Sequence, residues 1–230
     1  MSVVFVYHSV TDRVRIPWLE IRLRTLAAQL EQVTALGYRW TTLRHAVASP
    51  AERLAALTFD DGLADFSAAF DLVRSRSIPV VQYVCPGLAG TASAWTTAPE
   101  LRSRRLLAAD ELRELARGGC EIGCHGWTHE SFEELSTERL RDDLRRCQTW
   151  FRDELGRPAD SLAYPYGRCD ARRARLTGEH YELALAVEPV AGVPPRLAVP
   201  RLCGAEGLGK GDLAAALERY DLSRWLGRAP

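Results

Sequence analysis

Short runs of β-branched and aromatic residues alternate along this chain with stretches of helical hydrophobic spacing, and that alternation constrains the fold most. Val3–Tyr7, Leu54–Phe59, Val80–Val84 and Cys120–Gly123 read as strands, as do Leu162–Tyr164, Glu182–Val187 and Leu197–Val199. Between them, Trp18, Leu19, Leu23, Leu26, Leu30, Val33 and Leu36 recur at helical spacing until Gly37. Leu63–Arg76 and Asp110–Arg117 read as further helices, the second stopped by Gly118-Gly119. Ser136 caps a long helix over Thr137–Leu155, which Gly156-Arg157-Pro158 closes, and Asp212–Tyr220 is the last. Strands that are apolar on both faces and alternate with helices imply an α/β fold with parallel pairing, either a doubly wound sheet or a β/α barrel. No Pro/Gly/Ser-rich linker divides the 230 residues, so a single domain over 1–230 is expected.

Composition narrows the possible partners. Thirty basic and thirty acidic residues give a formal net charge of zero with no long basic run. Nucleic acid and anionic membrane surfaces are therefore not expected partners. No apolar stretch approaches the roughly 18 residues of a membrane span, and the opening apolar run reads as a strand rather than an export signal. The expected location is cytoplasmic. Six cysteines without a CxxC pair fit reduced thiols there.

In parallel α/β folds, side chains just past the C-terminal ends of strands gather at one ligand-binding face. His8, Asp60-Asp61-Gly62, His125 and Pro165-Tyr166-Gly167 all follow strand segments. Asp-Gly is common in turns and caps, but one carboxylate is enough for a cap. Two adjacent carboxylates repel unless a cation or a shared proton relieves them. His125-Gly126-Trp127-Thr128-His129 adds two of the chain's five histidines, four residues apart. On a helical turn that spacing sets both imidazoles on one face. With one of the two aspartates they form a two-His-one-carboxylate set suited to zinc, and also to iron, cobalt or nickel. The other aspartate is then placed as a base for a metal-bound water, which implies metal-assisted hydrolysis of an acyl group. An Fe(II) oxygenase uses the same trio, but normally on an antiparallel barrel. Trp127 and Trp95, the latter in the loop Gly90–Pro99, are candidates to stack on a sugar ring.

Three segments, TFDDG (Thr58–Gly62), EIGCHGWTH (Glu121–His129) and AYPYG (Ala163–Gly167), resemble in order and spacing the polysaccharide deacetylases, the NodB-homology group of carbohydrate esterase family 4. VYHSV (Val6–Val10) and Val199-Pro200-Arg201 resemble the branch acting on exopolysaccharides, and the likeness runs from about residue 3 to 218. The resemblance implies a distorted (β/α) barrel. It assigns Asp60 as general base, and Asp61, His125 and His129 as ligands of a divalent metal, commonly Zn2+. Tyr166 would donate its backbone N–H to the oxyanion, with its ring and that of Tyr164 forming the pocket wall.

The match is incomplete in two places. Many relatives carry an arginine before the Pro-Tyr of the third motif, where this chain has Ala163-Tyr164; Arg201 is the candidate substitute. Many also place a late histidine to protonate the leaving amine, and none follows His180 here. His8, just past the first strand, is the candidate acid, while His45 and His180 read as surface residues. The expected function is a metal-dependent N-deacetylase acting on the acetamido group of an amino sugar or related small molecule, soluble or lipid-linked. Two alternatives stand beside it: hydrolysis of a cyclic imide or ureide, and a non-catalytic carbohydrate-binding protein that kept the fold.

Overall fold

The structure, a computed structural model, describes residues 1–96 and 102–226. Its elements in chain order are β1 (Val3–Tyr7), β2 (Ser9–Val10), β3 (Glu20–Ile21), α1 (Leu23–Ala35), β4 (Arg39–Trp40), α2 (Leu43–Ala48), β5 (Leu54–Phe59) and α3 (Phe66–Ser75). There follow β6 (Val80–Val84), α4 (Ala109–Arg117), β7 (Glu121–Cys124), α5 (Thr137–Leu155), β8 (Ser161–Ala163), α6 (Ala171–Thr177), β9 (Leu183–Leu185), β10 (Leu202–Cys203), α7 (Lys210–Arg219) and α8 (Ser223–Leu226). The chain forms two compact units. No described helix is long and apolar enough to cross a membrane.

The first unit holds Met1–Phe59, Asp65–Val81 and, among the described residues, 201–226. Its strands run in the order β10-β1-β5-β6, with β4 also paired to β5. β1 pairs in parallel with both β5 and β10. Every residue of β1, β5 and β6 is buried, which is why these strands read as continuous apolar runs rather than alternating ones. Tyr7, Phe59 and Phe66 form an aromatic core, with ring centroids 5.5 and 4.9 Å apart. The Tyr7 hydroxyl donates to Gln29 Oε1 at 2.9 Å, so the one polar atom of that buried ring is satisfied.

The second unit holds Asp60–Ala64 and Gln82–Pro200, and its strands run in the order β6-β7-β8-β9. β8 pairs in parallel with β7 and β9. The helix α5 matches its expected bounds. Ser136 Oγ accepts the Arg139 N–H at its start, and Gly156 ends it in a left-handed conformation, φ 73°. Gly123 on β7 has no substitute, because a Cβ there would lie 2.3 Å from Tyr83 Cε1. That close approach fits β7, which ends at Cys124 just before His125, tightly against β6.

Three expectations from spacing are corrected. Trp18 and Leu19 are not helical; the helix starts at Leu23. The buried Glu20 carboxylate accepts the Arg15 and Ile16 N–H groups and holds this segment as a turn. Leu63 lies outside α3, which starts at Phe66. Leu197–Val199 is not a strand: Pro195–Leu197 is a 3-10 turn, and only Val199 bridges to Leu185. Pro194 and Pro195 preset that turn, and Pro200 has no N–H to give a ladder. Pairing resumes at Leu202.

Candidate metal centre

Asp60 and Asp61 follow the end of β5, with Asp61 and Gly62 in a turn. Asp60 is buried, and its carbonyl accepts Gln82 Nε2 at 3.3 Å. Asp61 takes a left-handed conformation, φ 75°, a region where aspartate is several-fold enriched over most residues.

The end of β7 delivers His125, whose N–H donates to the Val84 carbonyl at 2.8 Å. Its ring Nδ1 lies 2.7 Å from the Ala163 carbonyl. A carbonyl can only accept, so Nδ1 carries the proton and Nε2 presents its lone pair to the site. The expected helical turn between the histidines is absent. Residues 125–129 form an irregular loop in which Gly126 (φ 75°) and His129 (φ 63°) are both left-handed. This loop, not helical spacing, brings the two imidazoles together.

Asp61 Oδ1 lies 3.4 Å from His125 Nε2 and 3.3 Å from His129 Nε2. Asp60 Oδ2 stands 3.9 Å from His125 Nε2. Ligands on a tetrahedral zinc at about 2.1 Å are spaced roughly 3.4 Å apart, so the donor set fits such an ion. Two imidazoles and one carboxylate also suit the borderline divalent metals. Among the described residues this is the one group of three such side chains with converging ligand atoms. Burial opposes charge on His125, yet the Asp60 charge, the Asp61 contact and the Ala163 carbonyl together hold its pKa above the usual imidazole value. At His129 burial wins and lowers it. Between these ligands, the carboxylate pair creates a field that favours positive charge.

Aromatic rings surround His129. Trp95 stacks on it at 4.6 Å and 18°, and Tyr166 meets it edge-on at 4.7 Å. The Trp95 loop was expected to reach Pro99, but residues 97–99 lie outside the described residues. Tyr166 is also left-handed, φ 59°, and 53% exposed, so its ring does border open space. Tyr164 is corrected from wall to core: it is fully buried, and its hydroxyl donates to the Leu197 carbonyl at 2.8 Å. Trp127 is half-buried, with the Arg146 guanidinium 4.3 Å from its ring centroid.

His8 and Arg201 belong to the first unit. His8 follows β1, half-buried, and its shielded Nδ1 has no hydrogen-bond partner among the described residues. Arg201 is buried and donates to Thr58 Oγ1 at 3.3 Å. His45 is exposed on α2 and His180 half-buried after α6. Five cysteines are buried and Cys203 is exposed, all of them free thiols.

The model of the polysaccharide deacetylase family matches residues 48–181, more than half of the chain. The chain belongs to the polysaccharide deacetylase family. Solved structures of similar fold include IcaB from Ammonifex degensii, 22% identical, covering 94% of this chain and 96% of that one at a TM-score of 0.76. The deacetylase PplD of Streptococcus pyogenes in complex with acetate is 16% identical over 93% and 96%, also at 0.76. A de-N-acetylase from Aggregatibacter actinomycetemcomitans is 16% identical over 94% and 99%, again at 0.76. No curated protein matches the sequence. The fold shared with these structures is the distorted (β/α) barrel of the deacetylases, and family membership supports a hydrolase acting on amide bonds.

Within this deacetylase fold, sequence reading missed two residues around the centre. The Ala163 carbonyl orients His125, and no side chain signals it. Asp143 on α5 accepts the Trp127 N–H, and one acid among the many charges of that helix reads as solvated surface. Burial pushes the Asp143 carboxyl up to about 6, against the Trp127 N–H bond that favours its ionised form. An acid held neutral by the fold stabilises it below the ordinary carboxylate pKa, and that contribution is lost as pH rises through about 6. Asp143→Asn keeps an acceptor but never ionises. Its stability relative to the wild-type apoprotein should rise between about pH 4 and 7, by about 2–3 kcal/mol. Urea midpoints at several pH values measure this, and a difference independent of pH would contradict it.

Proposed function

We propose that this chain is a metal-dependent N-deacetylase that hydrolyses the acetamido group of an amino sugar or a related small molecule. The observation that carries the reading is the spacing of three donor atoms, 3.3 and 3.4 Å around Asp61, with a second, buried carboxylate 3.9 Å from His125. Asp61, His125 and His129 would hold a divalent ion, most simply Zn2+, with Co2+, Ni2+ or Fe2+ also suited to the ligands. When bound, the ion supplies positive charge that polarises the acyl oxygen and acidifies water.

The rest is the work of the chain. Asp60 takes the proton of the attacking water as the new C–O bond forms. The Ala163 carbonyl keeps His125 in the tautomer that faces the site. The Tyr166 backbone N–H donates to the oxyanion, as the sequence resemblance implies. His8, from its place just past β1, stays the candidate acid for the leaving amine, and Arg201 the candidate substitute for the arginine of the third motif. The exposed Tyr166 ring offers an apolar platform for a sugar face. Acetate held by PplD accords with this chemistry in a similar fold.

The test is acetate release from N-acetylglucosamine oligomers, and from smaller acetamido sugars, by the zinc-loaded protein. Acetate and free amine should appear in equal amounts and cease when a chelator strips the metal. A ring-opened product from a cyclic imide, without acetate from any sugar, would replace this reading with the imide hydrolase.

A further inference from the structure

Trp127 lies between the two histidines and is held at its N–H, its carbonyl and its ring. Its N–H faces both carboxylate oxygens of Asp143, at 3.1 Å from Oδ1 and 3.0 Å from Oδ2. Its carbonyl accepts the Gly87 N–H at 2.9 Å. One turn along α5 from Asp143, Arg146 covers its ring, and a Cβ at Gly87 would lie 2.4 Å from the indole Nε1. Such a residue is a pin rather than a platform.

The pin matters because of what flanks it. Left-handed backbone at non-glycine residues costs roughly 1 kcal/mol or more and persists only where surroundings enforce it. His129 is left-handed, and its buried Nδ1 has no hydrogen-bond partner among the described residues. His125 is fixed independently through Val84 and Ala163. The position of His129 relative to His125 therefore depends on the backbone between them, and Asp143 grips the midpoint of that backbone.

We propose that Asp143 is a positioning residue of the metal centre, clamping the Trp127 N–H so that His129 is presented beside His125. The proposal rests on the reading of Asp61, His125 and His129 as metal ligands. Losing a group that orients a ligand typically weakens metal affinity about 10- to 100-fold.

The experiment is zinc titration of the apoprotein against a chelating dye, for wild type, Asp143→Ala, Asp143→Asn and Asp142→Ala, with visible spectra of the Co2+ forms. Asp143→Ala should bind zinc about 10- to 100-fold more weakly and shift the cobalt bands. Asp143→Asn, whose side-chain oxygen still accepts the N–H, should stay within about threefold of wild type with an unchanged spectrum. Asp142→Ala, on the same helix, should match wild type and so exclude a general charge effect. If Asp143→Ala does not fold, Asp143→Ser is measured in its place against the same expectations. Equal affinity and spectrum in wild type and the truncated variant would overturn the clamp and leave the metal centre standing. So would an equal loss in Asp143→Asn. Wild type that takes up no zinc would overturn the metal centre itself, and the clamp with it.

Discussion

Asp60→Asn should retain its metal and lose about three orders of magnitude in kcat. General-base catalysis by a positioned side chain contributes about 100- to 10,000-fold, and the amide keeps the shape of the carboxylate while removing its basicity. Asp60 is not among the three converging donors, so metal content should stay at the wild-type level. A small loss of affinity is expected because the variant lacks one negative charge 3.9 Å from His125. Metal content by elemental analysis and kcat at saturating substrate decide the matter together. A variant within about tenfold of wild-type turnover would remove Asp60 from the role of base.

His125→Ala should carry no metal and no activity. The variant deletes one of three donors and leaves Asp61 and His129, one short of the three protein ligands that a catalytic metal site uses. It also removes the hydrogen bond of His125 Nδ1 to the Ala163 carbonyl, 2.7 Å long. A lost buried hydrogen bond costs about 1 kcal/mol, so the variant's fold should be checked by circular dichroism before its metal is counted. Purified His125→Ala with as much zinc as wild type, after both are washed with a weak chelator, would place the metal elsewhere. Full activity in that variant would discard the mechanism.

Local signals carried most of the fold. The bounds of α5 were legible because Ser136 and Gly156 act through their own neighbours, one by accepting an N–H three residues on and the other by tolerating a left-handed turn. β1 and β5 were legible because both of their faces are buried. Where several weak signals competed, spacing misled: Trp18 and Leu19 continue the period of α1 but lie in a turn fixed by the buried Glu20. At the centre, the kinds of residue were readable and their geometry was not. His125 and His129 stood out by type, yet the loop that joins them owes its shape to partners remote in sequence, Gly87 and Asp143 among them. Tyr164 sat in the right motif, but just past β8 it is fully buried and its hydroxyl donates to the Leu197 carbonyl. Tertiary partners of this kind leave no periodic trace.

Asp61, His129 and Tyr166 share positive φ angles of 75°, 63° and 59°. That backbone restricts which elements of the periodic table the chain can serve. Asparagine, aspartate and histidine enter the left-handed region far more readily than other non-glycine residues. Among side chains that bind metals, this admits carboxylate oxygen and imidazole nitrogen at positions 61 and 129 and works against the thiolate of cysteine. Sulfur-rich coordination, with the soft ions and redox chemistry it supports, is disfavoured by the shape of the main chain before any side-chain chemistry is considered.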